Sequence, residues 1–161
     1  MADLVVDKDM GFKKIQQDLK KLSKSEILVG VQSGSKTEAV VVRGRMQKAG
    51  INIASYASEN EFGTDKIRPR SFLRSFFDEN IVSIERVIQS QQAKMIDGKL
   101  DVGLGLDQIG SYLQDGVKGK IKEIRSPPNS KKTIALKGSD KPLIDFGLLF
   151  ASIRYVVKTR K

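Results

Sequence analysis

The sequence contains no cysteine and no histidine among its 161 residues. The absence of cysteine excludes disulfides, thiolate nucleophiles and zinc sites built on thiolates. The absence of histidine removes the side chain that most often acts as a general base near neutral pH. Serine, aspartate, glutamate, lysine and tyrosine remain for catalysis, so we expect a protein that is not an enzyme and uses no metal or cofactor.

Long apolar runs are also missing. No stretch approaches the roughly 18 apolar residues that a membrane span needs, and the first nine residues carry three aspartates and no hydrophobic signal core. We therefore expect no membrane contact and a protein kept in the cytoplasm of the cell that makes it. With 39% apolar and 30% charged residues, a chain of this length fits one domain over residues 1–161.

Positive charge is abundant and unevenly distributed. The net charge is +10, and residues 116–161 hold 12 lysines and arginines against 3 acids, whereas the other 115 residues hold 17 against 16. Such a basic region attracts an anionic partner, either nucleic acid or an acidic protein surface, through a field that salt weakens. The alternative is a solvated basic face that keeps the protein soluble.

Residues 60–74 combine a turn with the start of a helix. Gly63 can adopt backbone conformations closed to most side chains, and Pro69 biases Arg68 away from the helical region. Ser71 is a good N-cap, and apolar residues follow at three- and four-residue spacing as far as Met95. We predict a sharp turn and then a long amphipathic helix over residues 71–96, with Phe72, Phe76 and Phe77 in the core.

Other patterns predict the remaining elements. Helices are expected over residues 9–22, over 52–60 with Asn52 as cap and Gly63 as stop, and over 106–124 after chain breaks at Gly103 and Gly105. Pro127 and Pro128 end the last of these, and a helical turn is expected after Gly147. Strands are expected at 25–31 and 152–159, paired with each other. Residues 39–42 read as a further strand in a hairpin or as an extended arm.

Together these elements predict an α+β fold. A small antiparallel sheet is expected beneath two long helices, with extended loops or arms. Mobile loops are expected at 32–50 and at 126–142, the second ordering on assembly.

Two blocks of sequence resemble one known protein family. The first is Asn-Glu-Phe-Gly-Thr at 60–64, then Arg-Pro-Arg-Ser-Phe-Leu-Arg at 68–74 and a helix; the second spans Pro-Pro-Asn-Ser at 127–130 to Leu148. Together they resemble the neck and tail-completion proteins of tailed bacteriophages over residues 50–157. Two positions depart from the usual family pattern: Arg68 replaces a proline, and Phe146 replaces a small polar residue.

The resemblance implies a structural virion protein, made in the cytoplasm of the bacterial host. It would form a ring of six copies, with twelve as the alternative, at the head–tail junction, where it would bind neighbouring connector and tail proteins and let DNA pass. A ring could pair Glu61 of one copy with Arg70 or Arg74 of the next, since arginine binds carboxylates with two parallel hydrogen bonds. The predicted subunit interface comprises Glu61, Phe62, Gly63, Arg68, Arg70 and Arg74.

The acidic and basic residues of the turn have other interpretations. Glu61 and Arg70 could pair within one subunit and brace the turn. Glu59 and Glu61 could serve as an acid–base pair of a small lytic enzyme, although carboxylates at a helix end are typically surface charges. Phe62 is a better candidate for an intersubunit plug than Phe72, Phe76 or Phe77, because it is isolated beside a glycine.

The basic region predicts contact with DNA or with a neighbouring ring. No zinc finger, RNA-reading aromatic motif or recognition helix accompanies it, so any DNA contact would be to phosphate and independent of sequence. A sequence-independent nucleic-acid-binding protein is therefore the alternative function. The residues predicted to make this contact are Lys118, Lys120, Lys122, Arg125, Lys131, Lys132 and Lys137.

Overall fold

The computed structural model describes residues 11–31, 40–42, 45–47, 50, 52–144 and 147–160. Its helices are α1 (Phe12–Lys24), α2 (Ile53–Phe62), α3 (Leu73–Ile96), α4 (Val102–Glu123), α5 (Lys131–Lys137) and α6 (Leu148–Ser152). Its strands are β1 (Ser25–Val31), β2 (Val40–Val42), β3 (Arg45–Gln47) and β4 (Ile153–Thr159).

The sheet that carries the core joins two distant parts of the sequence. β1 and β4 pair antiparallel in a register that places Ile27 opposite Val157 and Val31 opposite Ile153. The register is extended beyond the strands, because the backbone N–H of Arg160 donates to the carbonyl of Lys24 at 2.7 Å. The predicted pairing of the last strand with the Ile27 strand and the α+β fold are confirmed.

The strand predicted at residues 39–42 has a different partner from the one expected. Val40–Val42 is a strand, but it pairs with Arg45–Gln47 rather than with β1. Residues 45–47 were predicted as part of a loop because few residues around them are apolar. Pairing with the valine run supplies their backbone hydrogen bonds instead. The rest of the predicted mobile loop at 32–50 lies almost entirely outside the described residues.

Glycines set how closely α4 approaches its neighbours. A Cβ on Gly105 would lie 2.4 Å from the sulfur of Met95, one on Gly110 2.3 Å from Tyr155, and one on Gly116 2.2 Å from Phe76. The predicted chain breaks at Gly103 and Gly105 are therefore wrong. Asp101 caps α4 by accepting the N–H of Leu104 at 3.1 Å, so the helix begins at Val102 and Gly105 is a packing position within it.

The core lies among α3, α4 and the inner face of the sheet. Phe72, Val117 and Ile153 are fully buried, and Phe76 is 6% exposed. Phe77 packs against this cluster with its ring edge-to-face on Phe76 at a centroid distance of 5.3 Å. The predicted core positions of the three phenylalanines are confirmed.

The segment predicted as a loop at 126–142 contains a helix. The hydroxyl of Ser130 accepts the N–H of Thr133 at 3.1 Å, and α5 follows until Gly138, whose φ of 66° ends it. A helix of seven residues is too short for the spacing of its apolar residues to distinguish it from a polar loop. The predicted helical turn after Gly147 is confirmed as α6.

Two glycine substitutions in α4 test this packing. Gly116→Ala should lower the free energy of unfolding by about 1–3 kcal/mol, because its new methyl group would overlap the buried ring of Phe76. Gly119→Ala is the matched control. Among the described residues, no atom outside its own stretch of helix lies within 4 Å of its added Cβ, so it should raise stability by about 1 kcal/mol. Urea unfolding of both variants measures the difference, and equal effects would contradict a close α3–α4 contact at Gly116.

Candidate functional site at the turn between α2 and α3

The turn begins where α2 ends. Asn52 caps the start of α2 by accepting the N–H groups of Ala54 at 3.0 Å and Ser55 at 3.2 Å. Gly63 ends the helix with φ at 80°, and a Cβ there would lie 2.9 Å from Cδ of Pro69. Gly63 is thus required both for its backbone angle and for the close approach of Pro69, and the predicted cap, stop and turn are confirmed.

Hydrogen bonds close the turn at its tip and at its base. At the tip, Thr64 and Ile67 exchange backbone bonds of 2.8 and 3.2 Å. At the base, the N–H of Arg70 donates to the carbonyl of Asn60 at 2.6 Å. Asn60 is only 3% exposed, and its side-chain amide donates to the carbonyl of Tyr56 at 2.8 Å. The chain therefore reverses within a fixed frame.

The carboxylate of Glu61 joins the two helices. Its Oε2 accepts the N–H groups of Phe72 at 2.8 Å and Leu73 at 2.9 Å. Its Oε1 accepts the hydroxyl of Ser71 at 2.5 Å and the N–H of Arg74 at 3.0 Å. These amides form the first turn of α3, where the helix dipole also favours a negative charge. Glu61 therefore caps a helix that begins twelve residues later in the sequence.

Two expectations are corrected by this arrangement. Ser71 was predicted to cap α3, but its hydroxyl donates to Glu61 and the carboxylate supplies the cap. Glu61 was expected to be a surface charge, yet it is 4% exposed, whereas Glu59 is exposed. A sequence gives no direct sign of such a cap, because the capping side chain lies on the preceding helix.

Opposing effects act on the pKa of Glu61. Burial raises the pKa, since it disfavours the charged form. The hydrogen bond from Ser71 and those from the backbone of Arg74, Leu73 and Phe72 lower it, and together they prevail, so the pKa lies below the ordinary value. The carboxylate is therefore charged at neutral pH.

Arg70 points away from Glu61. Its Nε donates to the carbonyl of Pro127 at 2.8 Å, and its Nη2 donates to the carbonyl of Pro128 at 3.2 Å and to Oδ1 of Asn129 at 3.4 Å. The predicted pair of Glu61 and Arg70 within one subunit is not formed, because each side chain has other partners. Arg70 instead ties the turn to the segment that precedes α5, and thus joins the two sequence blocks of the resemblance.

Arg74 and Phe62 lie on the other side of the turn. The guanidinium of Arg74 is 5.9 Å from the ring centroid of Phe62, and Phe62 is 67% exposed. Beside this ring is a groove of about 460 Å³ whose walls include Val31, Ala57 and Leu73. Phe62 is thus displayed at the surface, as the prediction of an intersubunit plug requires, although its binding role stays a prediction.

The predicted basic residues in and just after α4 differ in their contacts. Lys118 and Lys122 of α4 lie over the ring of Phe150, at 5.5 and 4.7 Å from its centroid. Lys120 forms a salt bridge with Glu79 of α3, which directs it toward α3. Arg125 donates to the carbonyls of Lys122 and Ile124.

The other predicted basic residues lie on α5. Lys131 and Lys132 are exposed there. Lys137 is the last residue of α5, and its side chain lies outside the described residues, as does Phe146.

The apolar face predicted for the first helix forms an exposed stripe on α1, and its exposure was not predicted. Phe12, Ile15 and Leu19 are 64%, 41% and 45% exposed, although their spacing places them on one face of the helix. Leu22, at the end of this face, packs against the buried cluster around Met95. Periodicity identifies an apolar face, but it does not reveal whether the rest of the chain covers that face.

Comparisons with models of protein families, with curated proteins and with solved structures find no match. Among the described residues, no helix is both long enough and apolar enough to cross a membrane.

Replacement of the capping carboxylate tests its role. Glu61→Gln keeps the shape of the side chain but removes the charge and turns an amide NH₂ toward N–H donors. We expect the free energy of unfolding at pH 7 to fall by about 2–3 kcal/mol. Glu59→Gln, the same change at an exposed position of the same helix, should alter stability by less than about 0.5 kcal/mol. Urea unfolding gives both values.

The contribution of Glu61 to stability should depend on pH in one direction only. Because folding lowers the pKa of Glu61, its stabilising contribution is complete above the ordinary value of 4.5 and is lost as the pH falls through the folded-state pKa. The stability difference between the wild type and Glu61→Gln should therefore shrink below about pH 4.5. A difference that stays constant down to pH 2 would contradict a charged cap.

Proposed function

We propose that this protein is a structural component of tailed-phage virions that assembles as a ring at the head–tail junction. The ring would contain six copies, with twelve as the alternative, and would bind adjacent connector and tail proteins while DNA passes through its centre. It would act by binding, without catalysis. The resemblance of residues 50–157 to neck and tail-completion proteins supports the location, and the exposed apolar surface of the single chain supports self-assembly.

The observation that carries the assembly proposal is the apolar stripe of α1. Ile15 and Leu19 leave 41% and 45% of their surface exposed on a short helix that is otherwise rich in lysine. An exposed apolar patch rimmed by polar residues is typical of a protein interface. A repeated contact between this stripe and a different surface of the next copy generates a ring when the rotation between successive copies closes.

The rigid turn supplies a second contact surface. Since Glu61 fixes the end of α2 to the start of α3, Phe62 and Arg74 project from a frame that does not need to order on binding. Preorganised contacts lose less entropy on association than mobile ones. Of the predicted interface residues, Phe62 and Arg74 remain exposed to a neighbour on this side of the turn, whereas Glu61 is buried within the subunit and Arg68 is exposed beside Arg70, on the other side.

Charge substitutions in α1 test the interface. Ile15→Glu with Leu19→Glu should convert the assembled protein into monomers, because carboxylates would be buried against the neighbouring copy. Gln16→Glu with Gln17→Glu is the matched control, since both glutamines are exposed on the same helix, and it should keep the assembled mass. Native mass spectrometry measures copy number, and circular dichroism checks the fold.

Two results would contradict self-assembly through α1. A wild-type protein that is monomeric at about 100 μM would refute self-assembly, and unchanged assembly of the Ile15→Glu, Leu19→Glu variant would refute the α1 interface. Phage particles produced without the protein test its location. We expect separate heads and tails, and joined infectious particles would contradict a role at the junction.

A specific observation also favours nucleic-acid binding as a second candidate function. Lys118 and Lys122 have no acidic partner among the described residues, and they flank the partly buried ring of Phe150. We expect Lys118→Gln with Lys122→Gln to weaken binding of random-sequence duplex DNA and to reduce its dependence on salt. Fluorescence anisotropy from 50 to 200 mM salt measures both. Equal binding by the variant and the wild type would remove these lysines from any DNA contact.

A further inference from the structure

A cleft lies between the α2–α3 turn and the segment that leads into α5. Its volume is about 600 Å³, which is within the range of roughly 300–1,000 Å³ typical of ligand sites. One wall carries three cationic side chains, Lys66, Arg68 and Arg70. The opposite wall consists of Pro127, Pro128 and residues at the start of α5. We name this feature the basic cleft.

The positive charge of the basic cleft is not balanced within the described part of the chain. The guanidinium of Arg70 donates to two carbonyls and one amide oxygen, all of which are neutral. Lys66 and Arg68 are exposed, and their side chains have no hydrogen-bond or ion-pair partner among the described residues. None of the described residues that line the cleft is acidic. The cleft therefore presents a concentrated positive potential to a ligand.

Apolar surface accompanies this charge. Ile67 and Tyr56 contribute on the side of the turn, and Pro127, Pro128 and Leu136 contribute on the other side. A sugar–phosphate chain is bound along an extended basic track with aromatic platforms. Here the cations are confined to five consecutive positions, and Tyr56 is the one aromatic residue among the described residues of the lining, which otherwise combines apolar side chains with the neutral polar Asn60, Asn129, Ser130 and Thr133. This combination fits carboxylates attached to a peptide with apolar side chains better than it fits a nucleic-acid backbone.

We propose that the basic cleft binds an acidic, partly apolar segment of a partner protein in extended conformation. Arg68 and Lys66 bind its carboxylates, with arginine able to form two parallel hydrogen bonds to one of them. Arg70 holds the two walls together through Pro127 and Pro128. This binding goes beyond the proposed ring assembly and does not require it, because every residue of the cleft comes from one chain.

A labelled peptide that repeats Leu-Asp-Glu twice serves as the probe, with the Leu-Asn-Gln repeat as its neutral counterpart. Fluorescence anisotropy should show salt-sensitive binding of the acidic peptide and no comparable binding of the neutral one. Lys66→Gln with Arg68→Gln should weaken acidic-peptide binding about tenfold. Both side chains are exposed and form no hydrogen bond or ion pair with the described residues, so the fold should be retained.

The matched control neutralises one arginine and one lysine elsewhere. Arg86 and Lys94 are exposed on α3 and lie outside the cleft, so Arg86→Gln with Lys94→Gln should leave affinity unchanged. An equal loss in both double variants would overturn the proposal in favour of diffuse charge attraction. Tighter binding of a single-stranded oligonucleotide of the same charge than of the peptide, lost in the Lys66→Gln, Arg68→Gln variant, would also overturn it.

Measurement in two backgrounds separates this proposal from ring assembly. The wild type and the Ile15→Glu, Leu19→Glu variant should bind the acidic peptide equally, whatever their copy number. Peptide binding that is absent from both backgrounds refutes the cleft and leaves ring assembly unaffected. A monomeric wild type that binds the peptide refutes ring assembly and supports the cleft.

Discussion

The buried carboxylate of Glu61 is the interaction on which the organisation of the molecule depends. It accepts hydrogen bonds from the first backbone N–H groups of α3, and it fixes where that helix begins relative to the end of α2. The backbone N–H of Phe72, whose side chain is fully buried in the core, donates directly to this carboxylate. Burial of an acidic group is costly unless hydrogen bonds satisfy it, and here both of its oxygens accept two. The turn is therefore a rigid part of the fold, and the side chains around it have fixed positions.

Close packing against α4 is the second constraint, and it depends on the absence of side chains. Gly105, Gly110 and Gly116 admit Met95, Tyr155 and Phe76 into contact with the helix backbone. Each glycine weakens the isolated helix, but each also allows a large apolar side chain to be buried. One helix thus contacts both α3 and the sheet, which connects the packing of the turn to that of the two terminal strands.

The sequence predicted those elements whose signals are local. Asn52 and Gly63 marked both ends of α2, and the apolar run at 25–31 marked β1 to the residue. The errors arose where a partner distant in sequence decides the outcome. Ser71 has the hydroxyl of a typical N-cap, but the N–H groups at the start of α3 donate to Glu61 instead. A glycine often interrupts a helix, but at Gly105 the side chain of Met95 fills the space where a Cβ would lie.

The sequence identified which residues form the candidate site, but it predicted only part of how their side chains are arranged. The arginines around Pro69 were identified together, yet the structure directs Arg70 to the basic cleft and Arg74 to Phe62, on opposite sides of the turn. Charge spacing does not encode these directions, because they depend on how residues 127–129 return to the turn. The exposure of α1 could not be predicted for a related reason, since an amphipathic pattern does not specify what covers it.

The pairing of β1 with β4 has a consequence for biosynthesis. Residues 25–31 leave the ribosome long before residues 153–159, and Ile153, which closes the core at the sheet, is fully buried. Contacts between such distant segments form slowly and leave apolar surface exposed in the meantime. A nascent chain therefore cannot complete its hydrophobic core before translation is nearly finished, and prematurely terminated products would expose the surfaces that the last strand covers.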